Sequence, residues 1–468
     1  MHLSVMDMRM NAYAFRVLYV FPPGSDHLEQ HHNESKQNST ERLAQSFEQL
    51  LRDDYLFLVD GEMHVDPVTR LICFCTQHGG RTKKPLLEFD SVVFSKSTCD
   101  VLDSLDFSLA PSRDPQDLIA LKCTSLRDGG FVIGLNVNHC VFDAEACFTF
   151  MNQWGMHYRH VEKAQRPAIS HDRHLLCEQE SDGEVRFAHP EYMVVDASPE
   201  PEHGLLPKSV TEYPKTTQRI FCMSRQKLKH LKAYVTAGIN CADIVDPGYI
   251  STMDALTALM TVLITQARGH RRNVNVGTAV NGRRRLEPRL PANYAGNAVF
   301  TAFSSFKASE LQCTINDQQQ QHNLSAQLLA TIAQRIRQSI HQQNNTYMYD
   351  TIAFLTAQLQ HPSERVEAST KFLFGSDIMF SSWIGLRSFE ANFDGARPLC
   401  VTSPALPVSD GMVVFQEESG GGRSLSAGAG DVPGGGVDVL VYLEIDAMAH
   451  LERLWSTAAV HCWAMSRV

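Results

Sequence analysis

Two alternating hydrophobic runs separated by a short turn predict a β-hairpin near residue 130. The runs are LIALKCTSL and FVIGLNVNH, and Asp128-Gly129-Gly130 lies between them, a composition typical of tight turns. In the second run, alternation places five side chains on one face: Phe131, Ile133, Leu135, Val137 and His139. The first four are apolar, so this face should be buried. We therefore predict a histidine at the end of a buried row, where it is not simply solvated.

A helix is predicted to begin just after that histidine. Asp143 precedes AEACFTFMNQW, and aspartate is a common residue at helix N-caps. His139 and Asp143 together form an HxxxD pattern. In a chain with 20 histidines, about one such spacing is expected by chance. The pattern is therefore explained equally well by a core histidine next to a capping aspartate and by a catalytic histidine.

Periodicity predicts further elements in the first half of the chain. AYAFRVLYVF predicts a strand, whereas the polar tract GSDHLEQHHNESKQNST at 24–40 has almost no large apolar residues and predicts a loop. ERLAQSFEQLLRD follows with apolar residues at the spacing of one helix face. The stretch 165–215 is rich in Pro, His and acidic residues without clear periodicity. We interpret it as the crossover between two domains, 1–200 and 201–468.

The second half alternates between strand and helix patterns. TTQRIFCM, NVNVGTAVN, GMVVFQ and VDVLVYLEI predict strands, and the last two are joined by a glycine-rich hairpin loop, EESGGGRSLSAGAGDVPGGG. SRQKLKHLKAYV, STMDALTALMTVLITQAR and NLSAQLLATIAQRIRQSI predict helices. Ser251 and Asp254 have the spacing of a capping box ahead of the second of these. The glycine-rich loop lacks the GK[ST] that a phosphate loop requires.

Composition indicates a globular protein that binds neither nucleic acid nor membrane. At 468 residues with 43% hydrophobic content, the chain is long enough for two domains. The net charge of -10 argues against nucleic acid and offers no basic stripe for anionic lipid. No apolar run reaches the length of a membrane span, and no signal-peptide pattern opens the chain. Twelve scattered cysteines look like reduced thiols, so we expect a cytoplasmic protein.

Two other kinds of site are disfavoured by the pattern around His139. No HExxH or paired CxxC supplies the further ligands that a zinc ion needs, so we expect no metal. Cys140 could be a nucleophile, but strand alternation directs it away from His139. A Cys–His pair needs both groups on one side.

Other segments, far from HxxxD in the sequence, favour a functional role for this pattern. HCVFDA occurs with STMDALTALM, AVNGRRRLEPRLPANYAGNAV, SSWIGLRSFEANFDGARP and GVDVLVYLEIDAMAHLERL. In this order, spanning nearly the whole chain, these segments resemble the BAHD acyltransferase family. The resemblance is strongest to its fungal branch, which includes trichothecene O-acetyltransferases. It implies an α/β fold of two chloramphenicol-acetyltransferase-like domains, with mixed sheets flanked by helices and a channel between them.

The resemblance also implies a reaction. An acyl group would pass from acyl-CoA, with acetyl-CoA the expected donor, to a hydroxyl or amine of a specialised metabolite. The acceptor expected is a small-molecule alcohol, such as a terpenoid, alkaloid or polyketide. His139 would be the general base in the channel, and no acyl-enzyme or permanently bound cofactor is needed. Asp143 would be structural and pair with Arg283 of NGRRRL, or with Arg285. We expect a monomer.

The chain departs from the family pattern at two places. Ala144 stands where the family usually has glycine after the aspartate. The family's DFGWG motif corresponds to Asn392, Phe393, Asp394, Gly395 and Ala396. Of these five residues, only Phe393 is the same as in the motif. Two alternatives therefore stay open. One is a catalytically silent metabolite-binding protein on the same fold. The other is a condensation-type amide-forming enzyme, although Asn138 stands where such enzymes usually carry a second histidine.

Overall fold

Strands and helices alternate along the chain in a computed structural model of the protein. It describes residues 1–11, 13–23, 32–67, 71–76, 86–115, 117–177, 185–196, 213–239, 249–311, 314–316, 321–361, 363–393, 395–419 and 435–457. The predicted glycine-rich loop lies largely outside these residues, since 420–434 are not among them, and so does Asp394. No helix in the described ranges has the length and apolarity needed to cross a bilayer.

The strands of the described residues are β1 (Ala14–Phe21), β2 (Gly61–Val65), β3 (Ile72–Thr76), β4 (Leu87–Phe89), β5 (Ile119–Ser125), β6 (Phe131–Asn138), β7 (Tyr192–Asp196), β8 (Thr216–Met223), β9 (Val274–Asn281), β10 (Val299–Phe306), β11 (Thr314–Asn316), β12 (Gln321–Asn323), β13 (Glu364–Ala368), β14 (Ile378–Ser382), β15 (Cys400–Thr402), β16 (Met412–Glu417) and β17 (Val437–Glu444).

The α-helices of the described residues are α1 (Val5–Met8), α2 (His32–Asp54), α3 (Phe57–Asp60), α4 (Thr98–Ser104), α5 (Ala144–Tyr158), α6 (Arg225–Ala237), α7 (Thr252–Arg268), α8 (Ala326–Gln342), α9 (Asn345–Gln358) and α10 (Ile445–Ser456). Short 3-10 helices occur at Phe107–Leu109, Lys163–Gln165, Arg173–Leu176, Ala308–Leu311 and Ser388–Glu390.

The first large sheet has the strand order β15-β1-β6-β5-β4. The predicted hairpin is confirmed, because β5 and β6 pair antiparallel across the Asp128–Gly130 turn. Only the β4–β5 pair is parallel, so the sheet is mixed. Residues of α2 and α5 cover one face, and one core cluster joins the three elements: Val17, Tyr19, Phe47, Leu50, Ile133, Leu135, Val137, Phe148 and Trp154. Strand β15, at one edge of this sheet, comes from the second half of the sequence.

The second large sheet has the order β10-β9-β14-β16-β17-β8. It is also mixed, because β14 runs parallel to both β9 and β16. Helix α7 is buried along most of its length, and its predicted capping box is confirmed: Ser251 Oγ accepts from Asp254 N while the Asp254 carboxylate accepts from Ser251 N. The four strands and three helices predicted for this half are all present. The α/β class with mixed sheets and helices is therefore confirmed.

One local prediction was wrong. The polar tract 24–40 was expected to be a loop, but α2 begins at His32, within that tract, while 24–31 lie outside the described residues. Glu, Lys and Gln are good helix formers, so a polar stretch can extend an amphipathic helix beyond the part that packs on the core. The division of the chain near residue 200 stays a prediction.

Candidate active site

His139 lies one residue beyond the end of β6, the middle strand of the first sheet. Its backbone N–H donates to the Tyr13 carbonyl at 2.9 Å. Its ring contacts the Phe15 ring edge-on, with centroids 4.8 Å apart. Phe15 pairs with Val137 across β1 and β6, and cross-strand partners share a face. The histidine therefore lies on the apolar face, as the alternation predicted.

An asparagine from the second half of the chain holds the imidazole. His139 Nδ1 lies 3.1 Å from Asn297 Oδ1, and Asn297 Nδ2 donates to the His139 carbonyl at 2.8 Å. Because the amide oxygen faces Nδ1, this nitrogen carries the proton in the neutral ring, and Nε2 keeps its lone pair. Nε2 forms no hydrogen bond within the part of the chain that the structure describes.

The surroundings favour the neutral imidazole. Burial lowers the pKa of His139 below its usual 6.5. The hydrogen bond with its own backbone, the negative charge of Asp143 and the bond to Asn297 oppose this effect in part, and the positive charge of Arg9 adds to it. A neutral ring with a free Nε2 can accept a proton at neutral pH.

Asp143 is the N-cap of α5, as predicted. Its Oδ1 accepts from the Ala146 backbone N–H at 3.0 Å, and its Oδ2 accepts from Ala298 N at 3.0 Å. Both oxygens also accept from the Arg283 guanidinium, at 2.7 and 2.9 Å. Burial acts to raise the pKa of Asp143, but Arg283 and the backbone donors lower it overall. Asp143 is therefore a buried carboxylate, and each of its two oxygens accepts from a backbone N–H group and from Arg283.

Arg283, rather than Arg285, is the partner of that carboxylate. The Arg283 side chain is 4% exposed and also donates to the Tyr294 and Gly296 carbonyls, at 3.0 and 2.8 Å. Arg285 instead donates to the carbonyls of Ile340 and Gln343. The Asp143–Arg283 pair thus ties the start of α5 to the segment between β9 and β10, which also carries Asn297.

Cys140 does not have the surroundings of a nucleophile. It is fully buried, and burial raises the pKa of its thiol to about 12. The thiolate, which is the reactive form, is therefore scarce at neutral pH. Its backbone N–H donates to Asn138 Oδ1 at 3.0 Å, which holds the turn that carries His139.

The segment that replaces DFGWG packs against α5. Phe393 is buried and contacts the rings of Trp154 and Tyr158 edge-on, at 5.2 and 5.3 Å. Gly395 has φ +82°, and its N–H donates to Asn392 Oδ1 at 2.9 Å. The retained phenylalanine thus anchors the segment on the helix that Asp143 caps. Asp394 lies outside the described residues, so its prediction as a turn residue is untested.

Asn297 was missed by sequence reasoning. It lies in PANYAGNAV, part of one of the segments that resemble the BAHD family. No local pattern, however, identifies an asparagine 158 residues from His139 as the partner of that histidine. The sequence feature that could have pointed to Asn297 is its position next to Gly296, after the NGRRRL turn. Among the described residues, no group of three or more His, Cys, Asp or Glu side chains is arranged to hold a metal ion.

Comparison with known proteins gives one family over most of the chain. The model of the Transferase family matches residues 1–456. Omega-hydroxypalmitate O-feruloyl transferase of Arabidopsis thaliana is 23% identical over 364 residues, which are 74% of this chain and 70% of the relative. Agmatine coumaroyltransferase-1 of Hordeum vulgare is 26% identical over 341 residues, 71% of each chain.

Solved structures give the same fold. TRI101 of F. sporotrichioides, complexed with coenzyme A and T-2, superposes with a TM-score of 0.70 and 16% identity, covering 97% of this chain and 96% of its own. Vinorine synthase superposes with a TM-score of 0.62 and 16% identity, covering 96% and 91%. At such low identity, these similarities establish the fold and leave the substrates open.

Proposed function

Because the chain belongs to the BAHD acyltransferase family, we propose that it transfers a short acyl group, acetyl in the first instance, from acyl-CoA to a hydroxyl of a specialised metabolite. His139 acts as general base. The observation that carries this proposal is the imidazole held by Asn297, with its Nε2 lone pair unengaged within the described residues and a lowered pKa.

The reaction needs one proton-transfer group. The acceptor hydroxyl gives its proton to His139 Nε2 as its oxygen attacks the thioester carbonyl. The tetrahedral intermediate then collapses, the C–S bond breaks, and the coenzyme A thiolate takes the proton from the imidazolium. An ester and free coenzyme A are the products. No acyl-enzyme forms, because the thioester is already activated and Cys140 is a buried thiol with a raised pKa.

Asp143 and Arg283 have a positioning role in this proposal. Their bidentate pair and the two backbone N–H groups on the carboxylate fix the turn from 139 to 143 against the segment that carries Asn297. Neither side chain takes part in proton transfer, since the Asp143 carboxylate is fully engaged with donors.

The acyl donor and acceptor are proposed from the relatives. TRI101 structures contain coenzyme A with T-2 or deoxynivalenol, which supports a CoA thioester and a hydroxylated acceptor such as a terpenoid, alkaloid or polyketide. Curated relatives are named for feruloyl and coumaroyl transfer, so aromatic acyl-CoA is the second donor class. We place the two substrates in a channel between domains 1–200 and 201–468.

We also propose a monomeric cytoplasmic enzyme without a permanently bound cofactor. No disulfide joins the cysteines in the described ranges, and reduced thiols are typical of that compartment.

A silent metabolite-binding protein is the competing function, and the altered segment Asn392–Ala396 is the observation that favours it. The test is release of free coenzyme A thiol by the purified full-length chain with acetyl-CoA, coumaroyl-CoA and feruloyl-CoA, each against a panel of hydroxylated terpenoids, alkaloids and polyketides. Acceptor-dependent thiol release that is lost in His139→Ala supports the enzyme. Metabolite binding without thiol release from any donor would establish the silent protein instead.

A further inference from the structure

We propose that Asp7, near the N-terminus, is a positioning residue for His139 and acts through the side-chain amide of Asn297. The inference rests on the proposed role of His139 as general base, and it adds the means by which the fold selects the protonated ring nitrogen. Asp7 and Asn297 are 290 residues apart in sequence.

One carboxylate oxygen of Asp7 holds Asn297 at two points. Asp7 Oδ1 accepts from the Asn297 backbone N–H at 2.8 Å and from Asn297 Nδ2 at 3.0 Å. The second proton of Nδ2 goes to the His139 carbonyl at 2.8 Å. Both amide protons are therefore used, and Asn297 is fully buried.

These two acceptors fix the orientation of the Asn297 amide. A flipped amide would turn its oxygen toward the Asp7 carboxylate and the His139 carbonyl, which are both acceptors, and its NH₂ toward the imidazole. The observed orientation leaves Oδ1 facing His139 Nδ1 at 3.1 Å. The neutral imidazole then carries its proton on Nδ1, and Nε2 is the basic nitrogen.

Asp7 is itself held from two sides. It is fully buried, and its second oxygen accepts from the Ser4 N–H at 3.1 Å and the Ser4 hydroxyl at 2.7 Å. Arg173, also buried, donates to Asp7 Oδ1 at 3.1 Å and to the carbonyl of Val141, in the turn after His139, at 3.1 Å. The carboxylate thus joins α1, Asn297 and the turn that carries the base.

Without the Asp7 carboxylate, the amide of Asn297 loses one of the two acceptors that fix its orientation. A share of the molecules would then carry the His139 proton on Nε2, and these molecules cannot accept the acceptor's proton. The expected loss is in kcat, with the KM for acyl-CoA nearly unchanged, because the Nε2–H tautomer still binds substrate. Imposing the wrong tautomer by changing a residue in direct contact with a catalytic histidine costs about 10⁴-fold in serine proteases. Asp7 acts one residue further away, so we expect about 10- to 100-fold.

The variants are Asp7→Asn, Asn297→Ala and Asn297→Asp, with Asp410→Asn as matched control. Asp410 is likewise a buried carboxylate paired with an arginine, Arg268, at 2.7 Å, but it lies in the second half of the chain beyond β15. Its replacement removes a comparable ion pair and tests whether lost stability alone lowers kcat. Asn297→Asp keeps an acceptor for Nδ1 and adds a charge, so the acidic limb of the kcat/KM profile should move to higher pH.

The deciding measurement is ¹⁵N NMR of histidine-labelled full-length protein without substrate, with the His139 signals identified by their absence in His139→Ala. We expect one Nδ1–H tautomer in the wild type and in Asp410→Asn, and a mixture in Asp7→Asn and Asn297→Ala. A wild-type ring protonated on Nε2 overturns the proposal, and so does an unchanged tautomer in Asp7→Asn. If Asp7→Asn does not fold, the Asn297 variants decide by the same spectrum. If the tautomer shifts as expected while His139→Ala stays active, positioning stands and the proposed function fails.

Discussion

His139 and His189 are two histidines in polar clusters of this protein, and their neighbours direct them to opposite charge states. His139 has an amide oxygen against Nδ1. His189 lies between two carboxylates, with Nδ1 3.1 Å from Glu191 and Nε2 2.9 Å from Asp350. Burial lowers the pKa of His139, and it acts on His189 in the same direction. At His189, however, hydrogen bonds and charges from Glu191 and Asp350 raise the pKa overall.

The number and charge of the partners decide whether a histidine in a polar cluster can act as a base. A charged imidazole donates from both nitrogens and has no lone pair to offer, so His189 is suited to hold parts together. Its cluster joins the segment before β7 to α9, because Asp350 also accepts from the Arg186 and Phe187 N–H groups, at 2.7 and 3.0 Å. The neutral amide oxygen of Asn297 at Nδ1, by contrast, leaves His139 neutral and basic at Nε2.

Replacing the proposed base, His139→Ala, should cause the greatest loss of activity. Loss of a general base typically lowers the rate about 10²- to 10⁴-fold. The melting temperature should change little, because His139 forms no salt bridge within the described residues. Steady-state thiol release and calorimetry on the same preparation measure both. Full activity in a folded His139→Ala protein would remove His139 from catalysis.

Arg283→Gln should produce the next largest effect, and in stability as well as activity. It leaves the buried Asp143 carboxylate without its ionic partner, which typically costs about 3–5 kcal/mol. Urea unfolding of Arg283→Gln, Asp143→Asn and the double variant measures the coupling, and the double should be less damaged than the sum of the singles. Arg285→Gln is the matched control, since it loses bonds to two carbonyls only. Zero coupling in folded proteins would rule out the anchoring role.

His189→Gln should lower stability by about 1.5–3 kcal/mol, the range for hydrogen bonds to charged groups, and leave the rate nearly unchanged. Because the folded-state pKa is raised, the stabilisation is complete below the unfolded pKa of about 6.5 and is lost as pH rises through the folded value. Urea midpoints between pH 5 and 9 should therefore fall with pH more steeply in the wild type than in the variant. Equal slopes, or a tenfold loss of rate, would contradict the assignment of His189 as a structural cation.

Cys140→Ser removes the thiol next to His139 and should change the activity little. Since the pKa of this buried thiol is raised to about 12, the thiolate is scarce at neutral pH and most activity should remain. Mass spectrometry of the wild type during turnover should show no acylated protein. A burst of acyl-enzyme together with an inactive Cys140→Ser protein would make the thiol the nucleophile.

Local patterns predicted part of the secondary structure. Elements such as β10, β14 and α9 were not predicted, and neither were contacts between residues far apart in the chain. The β5–β6 hairpin, the cap at Asp143 and the capping box of α7 depend on neighbours within a few residues, so alternation and spacing predicted them. The start of α2 was missed because its first turns are polar. Arg283 was named with the help of a family resemblance.

Asp7, Asn297 and the His189 cluster were not predicted, because each makes its decisive contacts across more than 150 residues. No short-range pattern carries such information. The orientation of one buried amide and the pairing of two carboxylates with one imidazole follow only from the assembled fold.

Strand β15 has a consequence for how the protein is made. Its three residues cover the outer edge of β1, with Val20 opposite Cys400 and Leu18 opposite Thr402. Ribosomes add about 5–20 residues per second. During synthesis, roughly 20 to 80 seconds therefore pass between the translation of β1 and that of its partner β15. An unpaired edge strand can bind another chain, and the nascent protein therefore passes through an interval in which a chaperone on that edge should raise the yield.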